Sequence, residues 1–144
     1  MKPTNQQILD ALTYLNSDNS KNIVKKKKDK DGNETDERYI PNAYNGYIAA
    51  LGGTMVQMGL LPTVMVYHNH NKGNTQRKHI TDALFALYKI GKDGIAENNF
   101  FDYLTNNWDE NMMKTWRKEI MQIAIALKMG IRSFELIDEN NNDD

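Results

Sequence analysis

Residues 39–67 read YIPNAYNGYIAALGGTMVQMGLLPTVMVY, a run of 29 residues without a charged side chain. That is long enough to cross a bilayer as a helix. Asn42, Asn45, Gln57 and Pro62 interrupt the run and four glycines dilute it, which argues against a membrane span. The spacing predicts two helices instead. The first starts near Glu37 or Pro41 and runs to Met58, with Gly59 as a left-handed cap; the second carries Pro62 in its first turn and reaches about Tyr67. A helix that is apolar all round belongs in the middle of a bundle, and Gly46, Gly52 and Gly53 would let neighbours approach closely.

On the amino-terminal side, Thr4 and Gln7 form a capping box ahead of Ile8, Leu12 and Leu15, which predicts a helix over 4–16. Residues 16–22 read as a loop. The segment 25–38 is almost wholly charged, with Asp31-Gly32 placed for a hairpin turn between Ile23-Val24 and Tyr39-Ile40; a disordered loop is the other reading. A calcium loop is excluded because Gly32 falls at the fourth rather than the sixth position. On the carboxyl-terminal side, helices are predicted over 75–91, with Ile80, Ala83, Leu84, Leu87 and Tyr88 on one face, and over 97–105. A last helix over 108–129 is capped by Asn107 with Glu110, striped by Met112, Trp116, Ile120, Ile123 and Leu127, and ended by Gly130. These elements imply an all-α fold: one compact bundle of about six helices over 1–137, with a charged loop or hairpin insertion at 18–37 and a disordered acidic tail at 138–144.

A chain of 144 residues can bury roughly two-thirds of its unfolded surface, so it needs no staples, and it has no cysteine to provide them. Met1 to Gln7 contain no apolar leader region, so the cytoplasm is the expected compartment. The formal charge of −1 is a sum of unlike parts. Residues 138–144 hold four carboxylates and no base; without them 18 basic side chains face 15 acidic ones, a net +3. Residues 21–30 carry six lysines against Asp29, and residues 31–37 answer with four carboxylates.

Catalytic chemistry has little footing. There is no nucleophile elbow, no phosphate-cradling glycine loop and no cysteine, and adjacent Asp109-Glu110 point in different directions on a helix. His68, His70 and His79 lack an accompanying ligand-rich helix, so they read as solvated loop histidines, and no metal or cofactor is expected. What remains is basic. Lys72, Arg77 and Lys78 sit at the start of one predicted helix, and Lys114, Arg117 and Lys118 share one flank of another at i, i+3, i+4 spacing. Such groups could track a phosphate backbone or could be ordinary solvated helix faces.

The segments Arg38-Tyr39-Ile40-Pro41-Asn42-Ala43-Tyr44-Asn45-Gly46 and Gly59-Leu60-Leu61-Pro62-Thr63-Val64-Met65-Val66-Tyr67, followed by Lys72-Gly73, resemble the small subunit of type III-B (Cmr) CRISPR effector complexes, over about residues 4–130. The resemblance implies a non-catalytic helical subunit. Its copies would stack into a minor filament beside the backbone subunits that hold the guide RNA, with a large polymerase-like subunit at one end. Basic faces would lie along the guide–target RNA. Lys72 matches the family's lysine after the short helix and Arg38 falls at its basic start; Arg77, Lys78, Lys114, Arg117 and Lys118 are added from helical spacing alone. Stacking would call for an exposed apolar surface, for which Met55, Met58, Met65, Met112, Met113 and Met129 are candidates. The insertion and the acidic tail exceed the family's pattern. A helix-turn-helix DNA-binding regulator built on 97–105 and 108–129 is the alternative; Trp108 and Met112 would then stand where base-reading side chains are expected.

Overall fold

In a computed structural model, which describes residues 1–139, the chain forms six helices: α1 (Asn5–Leu15), α2 (Asn42–Met58), α3 (Leu60–Asn69), α4 (Arg77–Tyr88), α5 (Phe100–Asn106) and α6 (Met113–Ile131). Three strands, β1 (Lys25–Lys28), β2 (Glu34–Pro41) and β3 (Leu136–Ile137), form a sheet in the order β1-β2-β3. Helix α6 packs on α1, α2 and α4, while α3 closes against α2, α4 and α5. Ala11, Leu15, Leu84, Leu104, Ala126 and Leu127 sit at the centre of one contiguous core.

The helix starts and stops follow local chemistry. Thr4 Oγ1 accepts from the Gln7 N–H at 3.1 Å and Gln7 Oε1 accepts from the Thr4 N–H at 2.9 Å, so the capping box forms. Gly59 has φ of 90° and separates α2 from α3, with Pro62 in the first turn of the latter. The fifth helix is capped by Asn99, whose Oδ1 accepts from the Asp102 N–H at 2.9 Å. The expected Asn107–Glu110 cap does not form. Asn107 Nδ2 instead donates back to the Tyr103 carbonyl at 2.8 Å, closing α5, and α6 begins only at Met113.

The all-α expectation is corrected by the sheet. Strands β1 and β2 are antiparallel, pairing Lys25 with Tyr39 and Lys26 with Arg38, and the turn between them falls where Asp31-Gly32 predicts it. Asp29 Oδ1 gathers the Asp31 and Asn33 N–H groups at 2.9 and 3.0 Å, and Gly32 takes φ of 83°. Four lysines carry no apolar alternation, so the strand is invisible to a hydrophobicity pattern. Burial alternates all the same: Lys25 and Lys27 are half-buried and Lys26 and Lys28 exposed, with the aliphatic stems covering the protected side. Lys27 Nζ meets Glu135 at 2.7 Å and Glu37 at 3.8 Å, and these carboxylates, Glu135 first, hold its pKa above the ordinary lysine value. The third strand joins in parallel, Ile40 opposite Leu136, and the Ile40 N–H donates to the Glu135 carbonyl at 2.9 Å.

The tail expected to be disordered from residue 138 is corrected as well. Asn42 Nδ2 donates to Asp138 Oδ1 at 2.9 Å, and the Tyr39 hydroxyl donates to the Glu139 carboxylate. The rest of that expectation, 140–144, lies outside the described residues. Two further readings change. Gly130 does not end α6 but lies buried inside it, where a Cβ would stand 2.8 Å from Leu15 Cδ1. The second helix is not in the middle of the bundle: it buries Tyr44, Ile48, Leu51 and Met55 and turns Gly46, Ala49, Ala50, Gly53 and Val56 to the outside. Of its three interior glycines only Gly52 meets a neighbour, with Met121 Cε at 3.3 Å from a Cβ placed there. Among the described residues, no helix is long and apolar enough to cross a membrane.

Candidate nucleic-acid interface

The seven basic residues singled out from sequence fall on three separate parts of the fold. Among the described residues no contact joins one group to another. Arg38, on β2, donates from Nη2 to Asn16 Oδ1 at 2.7 Å and lies 5.3 Å from the Phe134 ring centre. It lines an open cleft of about 430 Å³ with Asp36 and Glu135, so carboxylates share its surroundings.

Lys72, Arg77 and Lys78 are close in sequence and unlike in role. The Arg77 guanidinium stacks 4.6 Å from the Tyr47 ring centre and 6.0 Å from that of Tyr67, and its backbone N–H donates to His70 Nδ1 at 2.9 Å. It is a packing element joining α2, α3 and α4. Lys78 Nζ is taken by Asp82 at 2.9 Å, one turn along α4. Lys72 is exposed, with no ion-pair partner among the described residues.

Lys114, Arg117 and Lys118 are exposed on α6 and likewise have no hydrogen-bond or ion-pair partner among the described residues. The structure extends their face. Lys114, Lys118, Met121, Ile125, Lys128 and Arg132 are three or four residues apart and form one row. Over eighteen residues at ~1.5 Å each the row is about 27 Å long. Lys128 lines a shallow groove of about 200 Å³ between α2 and α6, floored by Ile48, Gly52, Met121 and Ile125. Arg132 Nε donates to Asn45 Oδ1 at 2.9 Å across the same groove. Sequence reasoning missed Lys128 and Arg132, although each stands fourteen residues, four turns, beyond Lys114 and Lys118; the apolar Met121 and Ile125 between them hid the repeat. The only acidic residue of α6 is Glu119, and Lys92 occupies it at 2.6 Å. A cationic row without a free carboxylate sits beside α2, which contains no charged side chain; α3, which packs on α2, α4 and α5, has no Asp, Glu, Lys or Arg. These two helices expose Val56 (68%) and Met58 (47%) on α2, and Met65 (42%) and Val66 (44%) on α3. Of the candidate methionines, Met55 is core, Met113 half-buried, and Met58, Met65, Met112 and Met129 exposed.

The histidines are not solvated loop residues. His68 stacks on Phe101 at 5.3 Å, His70 meets Tyr47 edge-on at 5.7 Å, and His79 Nδ1 lies 2.5 Å from the Tyr44 hydroxyl. The same hydroxyl is 3.0 Å from the Asn22 carbonyl, which can only accept, so Tyr44 donates there and the imidazole Nδ1–H donates to the Tyr44 oxygen. Among the described residues no group of three or more His, Cys, Asp or Glu is placed to hold a metal ion.

Burial lowers the His79 pKa below its ordinary 6.5, opposed by Asp82 and reinforced by Lys25, Lys78 and His70. The folded state therefore takes up this proton less readily than the unfolded state. The His79 contribution to stability is full above pH 6.5 and is lost as the pH falls below it. Thermal melts at decreasing pH are expected to show a falling Tm from this source, and His79→Asn, which keeps a donor near Nδ1 but cannot titrate, should flatten that part of the profile. Equal slopes for the two proteins would exclude His79 as the origin.

No protein-family model, no curated protein and no solved structure matches this chain.

Proposed function

We propose that this protein is a non-catalytic small subunit of a type III-B (Cmr) RNA-guided effector complex, acting in the cytoplasm. In this reading its cationic α6 row lies along guide–target RNA, and the uncharged α2–α3 face packs on neighbours: further copies of itself, the backbone subunits or the large polymerase-like subunit. The observation that carries the reading is the cationic α6 row lying beside the charge-free helix α2. The row offers lysines and an arginine with no free carboxylate on α6, and α2 exposes Val56 and Met58 on a helix without charge. Lysine and arginine on phosphates position a strand without reading it, which suits an assembly in which base pairing supplies specificity. A body of net +3 holds RNA weakly alone and gains affinity from repetition along a filament. The motif resemblance at 38–46, 59–67 and 72–73 adds the family. Purifying the untagged chain from its own cells tests the reading: a set of several proteins with a short RNA is the expected result, and a lone protein free of nucleic acid would overturn it.

A helical DNA-binding regulator is the second reading, and one observation favours it. Since α6 begins at Met113, Lys114, Thr115, Arg117 and Lys118 fill its first two turns, and Trp108 and Met112 stand ahead of the helix. Against it, six residues separate α5 from α6, more than the tight turn of a helix-turn-helix. Sequence-selective duplex binding that survives high salt would favour the regulator.

A further inference from the structure

The open cleft beside β2 gathers a cation, a free carboxylate and an aromatic ring from separate parts of the chain. Asp36 and Arg38 come from β2, Ser133, Phe134 and Glu135 from the segment between α6 and β3, and Asn16 from the carboxyl end of α1. Residues two apart on a strand share a face and rise about 6.6 Å, which sets Asp36 and Arg38 along one wall. The pairing of Ile40 with Leu136 carries Phe134 alongside Arg38, whose guanidinium lies over the ring, 5.3 Å from its centre. Asn16 Oδ1 accepts from Arg38 Nη2 at 2.7 Å, which fixes the planar fork and leaves its other N–H donors uncommitted among the described residues. The two carboxylates differ. Glu135 is held by Lys27 at 2.7 Å, whereas Asp36 is exposed and has no ion-pair partner among the described residues, Arg38 included. Lys26, the register partner of Arg38 on β1, is exposed as well. The cleft, of about 430 Å³, falls within the roughly 300–1,000 Å³ of small-molecule sites.

We propose that this cleft binds a guanine base. The base stacks on the pair formed by Arg38 and Phe134, and the Asp36 carboxylate accepts from its N1–H and N2–H groups. Guanine is selected because it alone among the RNA bases sets two donors side by side on its Watson–Crick edge. Adenine and cytosine place a donor beside an acceptor, and uracil holds one donor between two acceptors, so a carboxylate, which only accepts, meets an acceptor in each of them. Lys26 shares the face of Arg38, where an ammonium meets the phosphate that a nucleotide carries. Phosphate contacts position a strand without reading it; Asp36 would read one base. Two sources supply that base, a single-stranded guanosine in RNA and a free guanine nucleotide. The first rests on the RNA reading above; recognition of guanine itself does not.

Titration of the isotope-labelled chain with mononucleotides, followed by NMR, tests the site. With GMP the amides of residues 36, 38 and 133–135 are expected to shift saturably, with a dissociation constant of about 1 mM, as suits an open cleft. IMP, which lacks only the N2 amino group, should bind about fivefold more weakly, because it forfeits one hydrogen bond to a charged acceptor. In Asp36→Asn the GMP and IMP affinities should converge, and Arg38→Gln should weaken both by about fivefold. Both side chains are exposed, and spectra unchanged away from the cleft verify that the variants fold. Absence of saturable shifts at about 10 mM GMP, or equal GMP and IMP affinities in the parent, overturns the proposal. Heptauridylate and the same strand with one central guanosine separate the sources. Cleft shifts with the guanosine-containing strand alone, at lower concentration than GMP requires, assign the site to RNA. Cleft shifts with GMP while neither strand binds assign it to a free nucleotide and count against the RNA reading. If both strands bind equally and neither they nor GMP move the cleft amides, the RNA reading stands and the guanine site falls.

Discussion

Replacing Gly130 by valine is expected to lower stability by about 3 kcal/mol, because inserted carbons in a packed core cost about 1–3 kcal/mol and here the first of the three already collides with α1. A Cβ at this position stands 2.8 Å from Leu15 Cδ1, 3.8 Å from Leu12 Cδ2 and 3.9 Å from Ala11 Cβ. Ala11 and Leu15 are fully buried, so α1 cannot yield by turning a side chain into solvent. The expected Tm decrease is roughly 10 °C for a chain of this size. Gly130→Ala should be milder, since the ~1 kcal/mol gained in helix propensity offsets part of the clash. A cycle with Leu15→Ala identifies the cause: the valine variant should cost less in the truncated background, a coupling that independent sites do not show. Additive effects, or a valine variant as stable as the parent, would mean that α1 and α6 are not in close approach at Gly130.

The second large effect concerns α6. Lys114→Glu, Arg117→Glu and Lys118→Glu together should reduce RNA affinity about 100-fold at about 50 mM salt and lessen the slope of log affinity against log salt by about 2, as removal of three phosphate contacts requires. The fold should survive, because all three side chains are exposed and lack partners among the described residues. Lys78→Gln is the control: its charge is already taken by Asp82, so binding should change little. Arg77→Gln should instead register in thermal stability, through lost stacking on Tyr47 and Tyr67. Should Lys78→Gln match the triple variant, the interface belongs at the start of α4.

Helix ends were legible where a side chain answers a nearby backbone group. Thr4, Gln7, Gly59 and Pro62 act within one turn of themselves, so sequence spacing alone places them. Asn107 does not cap α6 because that helix begins only at Met113; its Nδ2 closes α5 on the Tyr103 carbonyl instead. The stripes on α4 and α6 were legible too: Ile80, Leu84, Trp116, Ile120 and Leu127 are all buried. Which cations stand free was legible only in part: Asp82 lies one helical turn from Lys78, whereas Glu119 reaches Lys92 from another element.

By itself, then, the sequence determined the six helices, the segregation of charge and the absence of charge over 39–67, because periodicity and capping are local; at Asp31-Gly32 it left a hairpin turn and a disordered loop both open, and the pairing of β1 with β2 decided between them. Only the tertiary structure decided that a lysine run becomes a strand, since its partners Glu37, Tyr39 and Glu135 come from the neighbouring strand and from more than a hundred residues away. It alone decided that the charge-free helix turns one face outward, and that Lys128 and Arg132 complete a cationic row beside that face. Burial and pairing are properties of what packs against a residue, and no window of sequence contains the neighbour.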